Sequence, residues 1–219
     1  MNTESEKMRP GMDAVSGRQR LLTAAAEEFS QHGYAGASIA AIAARAGVGK
    51  STIFHHFESK DTLYLAVIEA AAGEFARILD QVLDVERDVH DSLAEFQLAH
   101  LRHLFRNDKV ASLVLRELRG EGPGETAGQV REVVAGNFQR LVNYLEAVRG
   151  HGGIREDADP QVAALMMLSV NAFAFQVREV LMDFQGLNVE DAPDQFAAAV
   201  TDLVFRGLNV VPETEGEKE

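Results

Sequence analysis

Apolar residues recur at intervals of three and four along nearly the whole chain, and no segment shows the strict alternation typical of a β-strand. From residue 59 onward the pattern predicts six helices, separated by glycine-rich or polar breaks. They are expected over residues 59 into the eighties, 89–105, 110–118, 130–148, 160–184 and 193–207. With the shorter helices before residue 59, the sequence predicts an all-α fold of about nine helices. A three-helix N-terminal domain is expected to join a C-terminal bundle through a long helix.

The segment before residue 59 has the spacing of a helix-turn-helix. Residues 38–46 place apolar side chains three and four positions apart, so one face of a short helix is buried. Gly47 follows where that helix must end, because glycine tolerates the left-handed conformation that the turn needs. A second short helix over residues 49–56 then directs Ile53 inward, four positions before Phe57.

The opposite side of this second helix carries a cation, hydroxyl groups and aromatic rings, which suit phosphate and base-edge contacts in a DNA major groove. These outward residues are Lys50, Ser51, Thr52, Phe54 and His55. Ser38 is predicted to cap the first short helix through its hydroxyl group. Lys60 lies at the amino end of the long helix, where a phosphate would meet both its charge and the free amide groups.

The sequence of this region also permits other interpretations. Residues 44–51, ARAGVGKS, satisfy a loose phosphate-loop pattern. A working phosphate loop follows a buried β-strand, whereas the residues before this one are alanine-rich and helix-periodic, so no nucleotide site is expected. An ordinary three-helix core without a DNA role stays open as an alternative. An enzyme is not expected, because the acidic residues are scattered at helix-surface spacing rather than paired for catalysis.

Residues 18–70 resemble the DNA-binding domain of the TetR family of transcriptional regulators. The resemblance rests on Phe29, His32-Gly33-Tyr34, Ile42-Ala43, Gly47-Val48, Thr52, His56-Phe57 and Ser59-Lys60-Asp61. In the family, the positions matching eight residues of this chain commonly contact operator DNA: Ser38, Lys50, Ser51, Thr52, Phe54, His55, His56 and Lys60. Gly49 stands where the family usually has a serine cap, and Phe54 where it usually has tyrosine. One or two phosphate hydrogen bonds are therefore expected to be missing.

The charge of the chain is unevenly distributed. The formal net charge is −13, yet residues 1–60 carry +1 and the remainder carries −14. A near-neutral DNA-binding domain on an acidic body that DNA repels favours docking in one orientation. The chain has no cysteine, which excludes disulfides and thiolate metal sites. Because the sequence shows no secretory signal and no apolar run of membrane-spanning length, a cytoplasmic protein is expected.

The predicted organisation has four parts. They are a disordered tail over residues 1–15, the helix-turn-helix domain over 16–62, a ligand-binding and dimerisation domain over 63–209, and a disordered acidic tail over 210–219. The helices predicted over 160–184 and 193–207 have unusually wide apolar faces, which must be buried on several sides. The resemblance implies a homodimer through these two helices, with two recognition helices about 34 Å apart on a palindromic operator. A monomer core remains the alternative.

A small-molecule effector is expected in the C-terminal domain, since pockets in helical bundles are mostly apolar with a few converging polar groups. The candidate residues are Phe96, His100, His103, Arg116, Phe138, Tyr144, Met166, Asn171 and Phe175. His100 and His103 are one turn apart but lack an evident third ligand, so no metal site is expected, and no cofactor either. Asn171 lies in a helix rich in Met and Phe, where either a ligand or a helix–helix hydrogen bond satisfies its amide.

Together these features predict a ligand-responsive transcriptional regulator, more specifically a repressor, that binds its operator as a homodimer. A largely apolar effector would favour a state in which the helix beginning at Ser59 swings and changes the spacing of the two DNA-binding domains. The alternative is a helical partner-binding or architectural protein that retains the fold without responding to a ligand. A ligand-dependent change in operator affinity distinguishes the two.

Overall fold

The computed structural model describes residues 10–120, 123–124, 126–184 and 189–208, with side chains from residue 17 onward. Over these residues the chain forms ten α-helices and no β-strand, which confirms the predicted all-α class. The helices are α1 (Pro10–Gly36), α2 (Ile39–Ala46), α3 (Lys50–His56), α4 (Lys60–Val82), α5 (Val89–Arg106), α6 (Asp108–Leu118), α7 (Ala127–Gly150), α8 (Pro160–Gln176), α9 (Arg178–Leu181) and α10 (Pro193–Leu208).

The helix predicted over residues 160–184 is divided in the structure, and this accounts for the tenth helix. Val177 has φ −103° and ψ 16°, which lie outside the α-helical range, so α8 ends before it and the short α9 follows. The guanidinium of Arg178 donates to the carbonyl oxygen of Phe175 at 2.8 Å and satisfies an acceptor at the end of α8. Apolar periodicity continues through this break, so the pattern alone did not reveal it.

The two predicted tails lie mostly outside the described residues. The structure describes the chain from residue 10 to residue 208, so residues 1–9 and the acidic tail over 210–219 lie outside the described residues. Helix α1 begins at Pro10, so residues 10–15 are helical where a disordered tail was expected. Proline is well suited to a first helical position, because its φ is already close to the helical value and its missing amide hydrogen is not needed there.

The described residues separate into two compact units. The N-terminal unit comprises the described residues up to Ala70 together with Ser112–Arg131, and the C-terminal unit comprises Ala71–Ala111 together with the described residues from Glu132 onward. The division therefore falls within α4, α6 and α7. The sequence had suggested a single boundary after residue 62, with residues 112–131 in the C-terminal domain.

A buried pair explains why part of α6 belongs to the N-terminal unit. The hydroxyl group of Tyr64 donates to a carboxylate oxygen of Glu117 at 3.3 Å, and both side chains are buried. Burial, and then the charge of Glu117, raises the pKa of the Tyr64 hydroxyl, so Tyr64 stays protonated and remains a donor. The Tyr64 ring also meets the rings of Phe29 and Tyr34 edge-on, at centroid distances of 5.1 and 5.3 Å.

The core of the C-terminal unit forms where α5 packs against α8 and α10. Its buried side chains also come from α4 and α7, and include Leu79, Leu93, Phe96, Leu141, Leu145 and Met167. Within the described part of the chain, no helix combines the length and the apolar character needed to cross a membrane.

Candidate nucleic-acid interface and buried polar site

The α2–turn–α3 segment has the geometry of a helix-turn-helix. The Ser38 side chain accepts a hydrogen bond from the Ala41 amide at 3.1 Å and caps α2, as the sequence predicted. Gly47 adopts a left-handed conformation, with φ 68° and ψ 33°, and its amide donates to carbonyl groups at the end of α2. Ile42 and Ile53 are fully buried, so the two helices are held by their apolar faces.

Helix α3 has one buried and one exposed side. Ile53 and Phe57 are buried, while Lys50, Ser51, Phe54 and His55 are exposed and Thr52 and His56 are half-buried. Gly49 at the N-cap supplies no side-chain hydrogen bond to α3 in the described structure. The predicted DNA-contacting side chains of α3 therefore share the surface opposite its packing face.

Two of the predicted DNA contacts lie outside α3, and their surroundings differ. Ser38 is exposed, although its hydroxyl oxygen is engaged in the α2 cap. The Lys60 ammonium donates to the carbonyl oxygens of Tyr34 and Ala37, at 2.9 and 3.2 Å. Two of its three N–H groups are thus used inside the N-terminal unit. Lys60 therefore anchors the end of α1 to the start of α4, and less of it is available to a phosphate than we expected.

Two arginine contacts within the N-terminal unit were not identified from the sequence. The guanidinium carbon of Arg18 lies 5.4 Å from the centroid of the Phe57 ring, so α1 places an exposed cation beside the end of α3. Arg45 joins α2 to α1 through Glu27 and Glu28, at 3.0 and 3.3 Å. Both contacts join residues far apart in the sequence, where helical periodicity gives no indication of them.

Four of the effector candidates come together in the C-terminal unit. Phe96, His100 and His103 lie on α5 and are buried, and Asn171 on α8 is fully buried beside His100. The Asn171 amide nitrogen lies 3.2 Å from Nδ1 of His100. The same nitrogen is 2.9 Å from both the backbone carbonyl oxygen and the side-chain oxygen of Gln97, a residue that the sequence reasoning missed.

The two histidines of this cluster are kept neutral by burial. Loss of solvation, reinforced by neighbouring His103, lowers the pKa of His100 to about 3. Burial is also the main cause that lowers the pKa of His103, while Glu74 opposes it. The His100 ring packs against two phenyl rings, with centroids 4.9 Å from Phe75 and 5.7 Å from Phe96, and the two phenyl rings also contact each other at 6.5 Å. The cluster is therefore an uncharged polar region within an aromatic core.

The remaining effector candidates lie elsewhere. Tyr144 and Phe175 are buried in the C-terminal unit, and Phe138 is half-buried against the same core as Tyr144. Arg116 belongs to the N-terminal unit, where its guanidinium faces Gly33, so it does not join the cluster around Asn171. Met166 is 51% exposed, so it too lies apart from the buried cluster.

Met166 belongs to an exposed apolar surface on α8. Its neighbours on that helix, Val162, Leu165 and Phe173, are also more than half exposed, and so is Leu203 on α10. We call these five residues the α8–α10 apolar surface. Large apolar side chains that are exposed together on a monomer are candidates for an interaction surface.

Asp88, His90 and Asp91 place one potential metal-ligand atom each within 4.8 Å of one another at the start of α5. Asp88 caps this helix by accepting from the Asp91 amide at 3.1 Å. His90 is paired with Asp202 through Nε2 at 3.0 Å. Helix capping and the His90–Asp202 hydrogen bond thus explain this exposed group.

Comparison with known proteins places the N-terminal segment in a described family. Residues 21–67 match the family described as bacterial regulatory proteins, tetR family. The chain is 25% identical over 198 residues to the HTH-type transcriptional repressor NicS of Pseudomonas putida. That alignment covers 87% of this chain and 92% of NicS, so the similarity extends well beyond the helix-turn-helix.

Solved structures share the fold over most of the chain. The fatty acid degradation regulator FadR from Bacillus halodurans superposes with a TM-score of 0.72 at 22% identity, covering 87% of this chain and 99% of FadR. FadR from Bacillus subtilis, solved in complex with stearoyl-CoA, gives a TM-score of 0.70 at 19% identity, with coverages of 87% and 99%. The predicted arrangement of an N-terminal helix-turn-helix domain and a C-terminal helical domain is therefore confirmed.

Proposed function

Because the chain belongs to the TetR family of bacterial regulatory proteins, we propose that it is a transcriptional repressor which binds a palindromic operator as a homodimer and releases it when a small molecule binds. The observation that carries this proposal is the two-sided character of α3. Ile53 and Phe57 anchor the helix, and the opposite side exposes a cation, a hydroxyl group and two rings. Such a side suits a major groove. Operator DNA in bacteria lies in the cytoplasm, so we place the protein there.

The exposed side chains of α3 suit different parts of a DNA duplex. Lys50, Ser51 and His55 offer hydrogen-bond donors for base edges and phosphates. Phe54 is 53% exposed and has no hydrogen-bonding group on its ring, so it suits a thymine methyl group or a sugar. Thr52 and His56 flank these residues. Outside α3, Ser38 keeps its hydroxyl hydrogen and Lys60 keeps one N–H group to donate to the DNA backbone.

We assign the dimer contact to the α8–α10 apolar surface. It consists of five apolar side chains that are more than half exposed in the single chain, among them Phe173 at 66% and Leu203 at 74%. Pairing this surface with its symmetry mate removes it from water and builds a four-helix bundle from two copies of α8 and α10. Two-fold symmetry of the protein then matches the symmetry of a palindromic operator.

We place the effector in the C-terminal unit, in the buried cluster around Asn171. FadR from Bacillus subtilis was solved in complex with stearoyl-CoA, which supports a small-molecule role for this fold. Helices α4, α6 and α7 each contain residues of both units. The effector must bind the DNA-free state more tightly than the DNA-bound state, since equal affinity would shift no population.

Selection of bound fragments from a random duplex pool, at physiological salt, tests this function. A palindrome with half-sites about one helical turn apart is the expected product. Recovery of duplexes without sequence preference by folded protein would contradict the proposal. It would favour instead a partner-binding protein that has the same fold.

A further inference from the structure

The amide nitrogen of Asn171 lies at the centre of a buried hydrogen-bond network. This network offers the nitrogen more acceptors than it has hydrogens to donate. The nitrogen lies within hydrogen-bond distance of three acceptors: the Gln97 backbone oxygen, the Gln97 side-chain oxygen and Nδ1 of His100. An amide nitrogen carries two hydrogens, so the three acceptors compete for them. The orientation of the amide is nevertheless determined, because the backbone oxygen of Gln97 can only accept.

Two atoms of this network are left without a partner. Among the described residues, neither the side-chain nitrogen of Gln97 nor the side-chain oxygen of Asn171 meets a hydrogen-bonding group, although both atoms are buried. Asn171 and Gln97 are themselves completely buried. A buried amide group without a partner destabilises a protein, so such atoms are rare unless a water molecule or a ligand meets them.

The two unpartnered atoms form a complementary pair. The Gln97 nitrogen is a donor and the Asn171 oxygen is an acceptor, and each belongs to one of two amides that already share a single hydrogen bond of 2.9 Å. The two amide groups are therefore adjacent. A group that offers an acceptor beside a donor would satisfy both at once, as a carboxamide does.

The surroundings favour an uncharged group with an apolar body. His100 is neutral and packs against the rings of Phe75 and Phe96. Neither Gln97 nor Asn171 carries a charge that would compensate a buried carboxylate or ammonium group. Burying an ion without a partner is far more costly than burying an amide.

We propose that Gln97 and Asn171 form the polar recognition point of the effector site, and that the effector is an uncharged carboxamide or lactam with an apolar, ring-containing body. Its carbonyl oxygen accepts from the Gln97 side-chain nitrogen, and its N–H donates to the side-chain oxygen of Asn171. This inference rests on the proposed function, because it specifies the chemical class of the effector that the regulator recognises.

Calorimetric titration of the purified full chain with three matched probes tests this assignment. The probes are 4-phenylbutanamide, methyl 4-phenylbutanoate and 4-phenylbutanoate, which present a donor with an acceptor, acceptors alone, and a charge. The amide is expected to bind at least about tenfold more tightly than the ester and the carboxylate, because only the amide pairs both unpartnered atoms. Equal binding of the three probes, preference for the carboxylate, or no amide binding would overturn the proposal.

Two variants, one at each of the two proposed recognition residues, locate the contact. If one variant does not fold, the other still tests the proposal. Asn171→Leu is expected to weaken amide binding about tenfold and to leave ester binding within about twofold, because the ester has no N–H group to donate to Asn171. Gln97→Met is expected to weaken the binding of both probes about tenfold, because the carbonyl oxygen of each accepts from the Gln97 side-chain nitrogen. Thr201→Val is the matched control, since it removes a buried hydroxyl group whose hydrogen bond goes to Ala197 of its own helix. If folded Asn171→Leu and Gln97→Met bind the amide like the unaltered chain, the network holds water and the proposal fails.

The binding titration contains no DNA, which separates this proposal from the proposed function. A chain that selects a palindromic operator but does not bind the amide contradicts only the effector class. A chain that binds the amide as described but selects no operator contradicts the repressor function and retains the ligand site.

Discussion

The ammonium group of Lys60 lies 4.2 Å from the centroid of the Tyr34 ring and donates to the Tyr34 carbonyl oxygen at 2.9 Å. The two contacts join the start of α4 to the last turn of α1. Carbonyl groups at the end of a helix have no partner within that helix, so a cation placed there stabilises it.

Replacing Lys60 by Met should therefore lower the stability of the N-terminal unit. Lys60→Met removes a half-buried, charge-assisted contact while preserving much of the side-chain volume, so the free energy of unfolding should fall by about 1 to 2 kcal/mol. Urea denaturation followed by circular dichroism measures the change. Lys50→Met is the control, because Lys50 is exposed on α3 and its replacement should change stability by less than about 0.5 kcal/mol. Equal effects of the two substitutions would contradict an anchoring role for Lys60.

Two glycines with similar φ should respond differently to alanine. Gly33 has φ 67° and ψ 174°, a combination that is essentially restricted to glycine, and an added Cβ would approach an Arg116 nitrogen to 3.2 Å. Gly47 has φ 68° and ψ 33°, and an added Cβ there would meet no atom within 4 Å. Gly33→Ala should cost about 2 to 3 kcal/mol and Gly47→Ala about 1 kcal/mol. Thermal unfolding of both variants tests the order, and a larger loss at Gly47 would contradict it.

The α8–α10 apolar surface predicts the oligomeric state. The unaltered chain should sediment as a dimer, and Phe173→Glu should shift it to a monomer, because a carboxylate cannot be buried in an apolar interface without a partner. Val85→Glu is the matched control, since Val85 is an exposed apolar residue outside this surface. Analytical ultracentrifugation distinguishes the outcomes. A monomeric unaltered chain, or a Phe173→Glu variant that remains dimeric, would exclude this surface as the interface.

Burial of His100 makes stability dependent on pH. The pKa of His100 is lowered to about 3 in the folded chain and is about 6.5 when unfolded, so the unfolded state binds more protons between these values. Stability should therefore fall as pH decreases below about 6.5, by about 2 kcal/mol at pH 5 from this residue alone. His100→Gln should reduce this pH dependence, although His103 retains a part of it. His151→Gln, at an exposed turn, should leave it unchanged. Identical pH profiles for unaltered chain and His100→Gln would contradict the assignment.

The helix-turn-helix was predictable because its determinants are local. The three- and four-residue spacing of Ile39, Ile42 and Ala43, the glycine at position 47 and the inward pair Ile53 and Phe57 all lie within one short segment. The structure buries Ile42, Ala43, Ile53 and Phe57, and gives Gly47 the left-handed conformation that the turn required. Over such a short segment, the helical period of the apolar residues alone indicates which side of each helix is buried and which is exposed.

Features that depend on contacts between distant residues were not predictable in this way. The end of α8 involves a hydrogen bond from Arg178, which the continuing apolar pattern conceals. Arg116 is a predicted effector residue, but α6 places it beside Gly33 in the N-terminal unit. Gln97 was not predicted as a site residue, because a polar residue in an amphipathic helix usually faces water. In the structure it is buried against Asn171. The sequence correctly marked Asn171 as a buried amide in need of partners but did not identify them.

The most direct test of DNA recognition by α3 is the affinity of Lys50→Ala for the selected operator duplex, measured by fluorescence anisotropy over a range of salt concentrations. Loss of one phosphate or base contact in each protomer should weaken binding about tenfold and reduce the salt slope by about 1 per protomer. Arg77→Ala is the control, because it removes an exposed cation from the C-terminal unit and should leave affinity within about twofold. Affinity and salt slope that are unchanged in Lys50→Ala would contradict the placement of α3 in the DNA groove.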